Sequence, residues 1–427
     1  MPELQPRRMA VSAGALVQPN GPMDQPLDAS AFPGTAPKLP CQACGGAAVE
    51  PFYELRNVPA HSCLLLPTRQ QALAFPRGDI ELVFCRECGF IGNRRFDIAL
   101  NQYSAAYEET QAFSPRFLKF LDEICHDQIQ KFALGPGMTA LEIGCGKGEF
   151  LTRLCELSGC NGIGLDPGYH PERNQSSAAE RITFIRDLYG PRYAHLQADY
   201  VSCRHTLEHI APVREFMRLV RETIGKRQAN VFFELPDMER VLETGVFWDV
   251  YYEHCTYFTR GSLARLFRAE GFDVERLYKV YDGQYLMIEA TPAQGPTQAR
   301  LPQEDDLETT AALVAKFRKE VDNRLAELSA AAERWRRMGQ KVAIWGSGSK
   351  CVALMSSLDF GASLHAIVDI NPHKHGRFLA GSGWEIQGPD ALAEVRPDAV
   401  IIMNSIYTEE IRHELATRGL QPQLLPL

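Results

Sequence analysis

The sequence predicts an α/β protein: a central doubly wound sheet, a small cysteine-stapled module before it, and a second strand–helix–strand domain after it. Three observations predict this. An apolar run at residues 138–143 breaks into the glycine turn Gly144-Cys-Gly146-Lys-Gly148 and reopens as a helix. The same order of strand, glycine turn and helix begins again at residue 341. Ahead of both, two Cys-x2-Cys-Gly units start at Cys41 and Cys85, with only short strand-like stretches between them. Strands alternating with helices are the pattern of a parallel sheet covered on both faces.

Composition narrows the function classes. The 427 residues are 45% apolar and 23% charged, an ordinary balance for a chain with sizeable cores. No run of about 18 apolar residues occurs, so no membrane-spanning helix is expected. A formal charge of -8 argues against broad nucleic-acid affinity, which needs a basic face. Residues 1–40 hold eight prolines and a short Ala/Ser/Gly-rich run after Arg7 and Arg8, and read as a disordered tail, not a signal peptide. A cytoplasmic location follows, with the twelve cysteines expected as thiols or metal ligands.

Taken in order, residues 41–95 form the cysteine module. Cys41, Cys44, Cys85 and Cys88 supply the four thiolates of a tetrahedral zinc site, and no coordination position is left for chemistry, so the ion is expected to be structural. A region this small gains from such a staple. The central domain spans 96–292. Phe113, Phe117, Phe120, Leu121 and Ile124 share one face of a helix over 112–132. Strands follow at 138–143, 162–166, 182–185, 200–203 and 229–234, and a meander at 274–281 and 285–290 closes the domain. Residues 293–339 are a linker and one long amphipathic helix over 305–338, stopped by Gly339. Residues 340–427 form a Rossmann-like C-terminal domain.

The glycine turn lets the backbone pass close to a ligand, and Asp166, 22 residues after Gly144, ends the next strand where a carboxylate accepts ribose hydroxyls. His209, in Leu207-Glu-His-Ile210, follows the fourth strand at the carboxyl end of the sheet. Tyr251-Tyr252-Glu253-His254 is the richest polar–aromatic cluster; it reads either as proton-transfer machinery or as an aromatic strand edge with a packed histidine. In the C-terminal domain, Trp345-Gly-Ser-Gly-Ser-Lys350 with Lys374 and Arg377 would suit a phosphate.

Glu142, two residues before Gly144, completes an E/D-x-G-x-G turn that resembles the class I S-adenosylmethionine (SAM) methyltransferases. The chain from about 41 to 427 resembles the zinc-containing sugar C-methyltransferases of deoxysugar biosynthesis, which join a zinc module, a SAM domain and a Rossmann-like domain in this order. The resemblance implies SAM over Glu142, Gly144, Gly146 and Gly148, with its ribose on Asp166 and its adenine at Asp187. It implies a catalytic set of Tyr251, Glu253 and His254, with a further histidine at His209 (or His205) and a tyrosine at Tyr107 (or Tyr103). Through Trp345-Gly-Ser-Gly-Ser-Lys350 and Val368-Asp369-Ile-Asn371-Pro372-His-Lys374-His-Gly376-Arg377 it assigns Lys350, Asn371, Lys374 and Arg377 to the acceptor.

The chain departs from that family where Tyr252 replaces a histidine, and where Asp282-Gly283-Gln284-Tyr285, Ala380-Gly381 and Met403-Asn404 replace its usual residues. Several of these departures are expected to line the acceptor pocket. The reaction expected is C-methylation beside a carbonyl of a small molecule, a nucleotide-linked keto-sugar first. His254 would be the base, Tyr251 and His209 would stabilise the enolate, and Glu253 would orient them. The alternatives are O- or N-methylation, and a non-catalytic SAM-binding scaffold.

Overall fold

A computed structural model describes residues 40–101, 106–295 and 298–427. Of the tail expected over residues 1–40, all but residue 40 lies outside the described residues, as does the alternative tyrosine Tyr103.

Strands β1 (Val49–Pro59), β2 (Arg77–Cys85) and β3 (Ile91–Asn93) form an antiparallel N-terminal sheet. The central domain contributes β4 (Thr139–Ile143), β5 (Asn161–Leu165), β6 (Ile182–Ile185), β7 (Tyr200–Arg204) and β8 (Asn230–Pro236). It adds the short β9 (Thr256–Tyr257) and then β10 (Phe272–Val280) and β11 (Tyr285–Pro292). The large sheet runs β10-β11-β8-β7-β4-β5-β6. Strands β4 to β8 are mutually parallel and β11 is antiparallel to β8. From β4 the chain first builds one side, β5 and β6, and then crosses to β7 and β8. The glycine turn after β4 therefore opens at the switch point, where a crevice forms beyond the carboxyl ends of the strands.

The helix Pro115–Phe132 starts on Ser114, whose side chain accepts from the Phe117 N–H. Its apolar face, with Phe117, Phe120, Leu121 and Ile124, enters a core shared with the helix Glu149–Ser158. The long helix is Leu307–Met338. Its buried Phe317, Val321, Leu328, Ala332 and Trp335 join one core with the N-terminal sheet and the C-terminal domain, so this segment is a spine rather than a spacer.

The C-terminal strands β12 (Val342–Trp345), β13 (Leu364–Val368), β14 (Arg377–Phe378), β15 (Glu385–Gln387), β16 (Ala399–Ile402) and β17 (Gln423–Pro426) are ordered β14-β15-β13-β12-β16-β17. Here too the glycine turn follows the strand at which the order reverses.

One pairing matters most for the site. β9 leaves the central domain and joins the N-terminal sheet beside β3. The Asn93 N–H donates to Cys255 O at 2.8 Å, and the Cys255 N–H donates to Glu208 O at 2.9 Å. The segment carrying Tyr251 to His254 is thus pinned between the cysteine module and the turn after β7.

Candidate active site

The four cysteines converge. Cys41 and Cys88 sulfurs are 3.6 Å apart, Cys44 and Cys85 sulfurs 3.7 Å, and all four lie within 4.8 Å of one another. Tetrahedral zinc with bonds near 2.3 Å requires sulfur–sulfur edges of about 3.8 Å, so the donor set fits the ion. Cys63 is not in this set; its sulfur lies 3.3 Å from Ser349 Oγ.

A cavity of ≈ 860 Å³ runs from the central glycine turn to the C-terminal domain. Glu142, Gly144, Gly146, Asp166 and Asp187 line one end. Gly144 has φ 71°, and a Cβ on it would stand 2.0 Å from Thr206 Oγ1, so only glycine fits. Asp166 accepts from the Gly146 N–H at 3.0 Å and the Gly168 N–H at 2.6 Å, which turns its carboxylate into the cavity mouth. Burial raises its pKa. Burial also raises Glu142, to about 8, with Arg204 opposing; Glu142 accepts from the Leu151 N–H at 3.2 Å. Gly148 lies outside the lining and serves as N-cap of the helix Glu149–Ser158 with φ 82°. Asp187, at the rim, accepts from the Tyr193 hydroxyl at 2.5 Å.

Tyr107, His209, Tyr251 and His254 line the middle of the cavity, and Glu253 does not. The Tyr251 hydroxyl and His254 Nε2 are 2.9 Å apart, and the His209 and His254 rings meet edge to face with centroids 4.8 Å apart. Burial, then the neighbouring His209, His205 and Lys350, hold the His254 ring well below the ordinary imidazole range. His209 Nδ1 donates to Glu253 O at 3.0 Å, since a carbonyl only accepts, and this contact orients the His209 ring.

The role expected of Glu253 is not what its geometry serves. Its carboxylate faces away from His254, toward the cysteine module. It accepts from Ser62 Oγ at 2.5 Å, from the Ser62 N–H and from the Tyr107 hydroxyl at 3.1 Å, and lies 3.0 Å from His61 Nδ1. Burial opposes its charge, yet His61 and Ser62 outweigh burial and hold the carboxyl at about 2. Tyr107 is therefore brought to Glu253, not to His254.

His205 and His209 separate into two roles. His205 Nε2 lies 3.1 Å from Glu234 Oε1. Burial works against its charge, but Glu234 and Glu208 prevail and raise it to about 9.

In the C-terminal wall, Lys350, Asn371 and Lys374 line the cavity, whereas Arg377 lies in β14 and does not. Each lysine already faces an acid: Lys350 to Asp249 at 2.9 Å and Lys374 to Asp369 at 3.2 Å. The Asn371 amide donates to Glu108 at 2.8 Å. Of the departures, Gln284, Tyr285, Met403 and Asn404 reach the cavity; Tyr252, Asp282, Gly283, Ala380 and Gly381 do not. Tyr252 is 1% exposed, lies over Gly78, and accepts from the Asp97 N–H at 2.8 Å.

Sequence reasoning missed His61, Ser62 and Glu208. The first two are the polar residues of an otherwise apolar stretch, 58–66, which is the signal that marks them. Glu208 sits directly before His209, in a motif read only for its histidine.

Comparison with known proteins matches residues 117–277 to a methyltransferase domain and residues 287–421 to a C-methyltransferase C-terminal domain. The chain is 24% identical over 357 residues to the C-methyltransferase NovU of Streptomyces niveus, covering 78% of this chain and 81% of that protein. A SAM-dependent methyltransferase from Aquifex aeolicus aligns at 15% identity over 43% of this chain and 96% of its own, with a TM-score of 0.33. Magnesium protoporphyrin IX methyltransferase from Synechocystis, solved with bound SAM, aligns at 15% over 41% and 79%, with a TM-score of 0.31. A methyltransferase domain and a segment similar to a C-methyltransferase C-terminal domain meet at one cavity, and the chain is a SAM-dependent methyltransferase.

Proposed function

We propose that the protein methylates a carbon beside a carbonyl group in a small-molecule acceptor, with nucleotide-linked keto-sugars as the favoured class. The observation that carries this reading is the Tyr251–His254 pair, which shares one cavity with the glycine turn. A C–H beside a carbonyl is weakly acidic, so its removal needs a positioned base and a donor at the oxygen where charge collects.

Bound SAM supplies an electrophilic methyl group. In the chain itself, His254 Nε2 takes the proton, and the Tyr251 hydroxyl turns from that nitrogen to the developing oxyanion. His209 lines the same cavity beside His254 and would share the enolate role with Tyr251. Glu253 holds Tyr107, Ser62 and His61 in place and so fixes the wall behind the reacting pair. Gln284 and Asn404 share a 2.8 Å hydrogen bond on the C-terminal side, and Lys350 donates to Gln284 at 3.3 Å; this wall would meet the polar end of the acceptor. The resemblance to NovU supports C-methylation, as that protein is named a C-methyltransferase.

The test is incubation with methyl-labelled SAM and a panel of nucleotide-linked keto-sugars, followed by mass spectrometry. The expected product carries the label on carbon, and deuterium from solvent exchanges at that carbon when SAM is omitted. Label on oxygen or nitrogen, without exchange, would replace this reading with heteroatom methylation.

A further inference from the structure

We propose that Glu208, His209 and His254 form a second metal site, which takes a divalent first-row transition cation on the cavity wall, apart from the four-cysteine cluster. The inference goes beyond the methylation reading and stands without it.

The three side chains offer one carboxylate oxygen and two imidazole nitrogens within 4.8 Å of one another. Glu208 Oε1 lies 4.0 Å from His254 Nε2. A cluster alone decides little; the unmet needs of its members decide more. Glu208 is 2% exposed, yet neither of its carboxylate oxygens accepts a hydrogen bond among the described residues. His254 is 5% exposed, and its Nε2 is the ring nitrogen on the side of Glu208. A buried carboxylate without donors is costly, and native structures rarely leave one so.

His205 Nδ1 stands 3.6 Å from Glu208 Oε1, beyond hydrogen-bond range. His205 already has its own acid in Glu234 at 3.1 Å. Glu208 therefore keeps capacity for a further cation.

His209 is prepared for one. Its Nδ1 donates to the Glu253 backbone carbonyl at 3.0 Å, the kind of outer contact that orients the ring of a metal-bound histidine. Two imidazoles with one carboxylate favour manganese, iron, cobalt or zinc over magnesium or calcium, which prefer oxygen throughout. Three protein ligands leave coordination positions open toward the cavity, where an acceptor oxygen or water would sit. A cation here occupies the Nε2 lone pair of His254, so it competes with the proton and suppresses exchange at the acceptor carbon.

The full-length zinc-loaded protein is titrated with Co2+, and metal per chain is counted after gel filtration while the visible spectrum is recorded. The expected result is one Co2+ per chain beyond the retained zinc, with weak d–d bands and no sulfur-to-cobalt charge transfer. Glu208→Gln and His209→Ala should each weaken that binding by about tenfold or more. Their zinc content should stay unchanged, which reports an intact fold. No cobalt beyond the cysteine cluster, a spectrum of thiolate ligation alone, or cobalt binding unaltered in the double variant would each overturn the proposal. Solvent exchange is read separately. Its loss on cobalt loading supports competition at His254, and its persistence refutes that competition. Exchange missing from cobalt-free protein would overturn the C-methylation reading and leave the metal site standing.

Discussion

Asp166→Ala removes the acceptor that closes the SAM end of the cavity. Each Asp166 oxygen already takes one backbone N–H, from Gly146 or from Gly168, and each keeps a lone pair for a ribose hydroxyl. A hydrogen bond to a charged acceptor contributes about 1.5 kcal/mol or more, so two lost bonds cost on the order of 3 kcal/mol. That is roughly a hundredfold in Kd. The turn loosens as well, because the Gly146 N–H loses its partner, which adds to the loss. One effect opposes these: burial already penalises the Asp166 charge, and alanine relieves that penalty in the free protein. Since the penalty is present with and without ligand, it changes stability more than affinity. The assay is calorimetric titration with SAM and with its demethylated product, on protein whose circular dichroism matches the parent. An affinity within threefold of the parent would refute the assignment of the ribose to Asp166.

Three further outcomes are expected. Stripping zinc with a chelator, or replacing Cys85 by Ser, should lower Tm by more than about 5 °C in a thermal melt, because the cysteines pack in one core with Phe90, Phe258 and Leu263. Glu142 holds its proton in the folded chain up to about pH 8, whereas the unfolded chain releases it near 4.5. Its contribution is therefore fully present below pH 4.5 and is lost as pH rises to 8, so Glu142→Gln should gain Tm relative to the parent between pH 5 and 8.5, and a constant difference would refute this. Tyr252→Phe should leave turnover within about twofold, while Tyr252→Ala should cost about 3–5 kcal/mol in urea unfolding, since the ring is fully packed.

The parts of this molecule that were legible in its sequence are those set by local pattern. Strand β6 falls at 182–185 because Ile182, Phe184 and Ile185, with the β-branched Thr183, stand between charged residues Arg181 and Arg186, and the helix Pro115–Phe132 follows from the spacing of four apolar side chains. The four cysteines were legible because metal ligation constrains both residue type and spacing. Direction was not legible. Tyr252 and Glu253 belong to the same tetrapeptide as Tyr251 and His254, yet they face the N-terminal module, because an irregular segment has no period from which to read its faces. Arg377 fails for a related reason: it is close in sequence to Lys374, but the chain turns into β14 before reaching it. His61 and Ser62 are 191 or more residues from Glu253, a distance that no local pattern spans.

The pairing of β9 with β3 changes what a domain boundary means in this chain. A cut near residue 96 looks safe on paper, as it separates a compact metal module from a complete seven-stranded sheet. It would in fact leave Thr256 and Tyr257 without the strand they hydrogen-bond to, and Glu253 without His61 and Ser62. The cavity-lining His254 would then sit on an unpaired segment beside the glycine turn. Modular recombination must therefore respect a seam that runs across the chain order. A chimera that exchanges the first module has to bring residues 251–257 with it, or it will bind its methyl donor and transfer nothing.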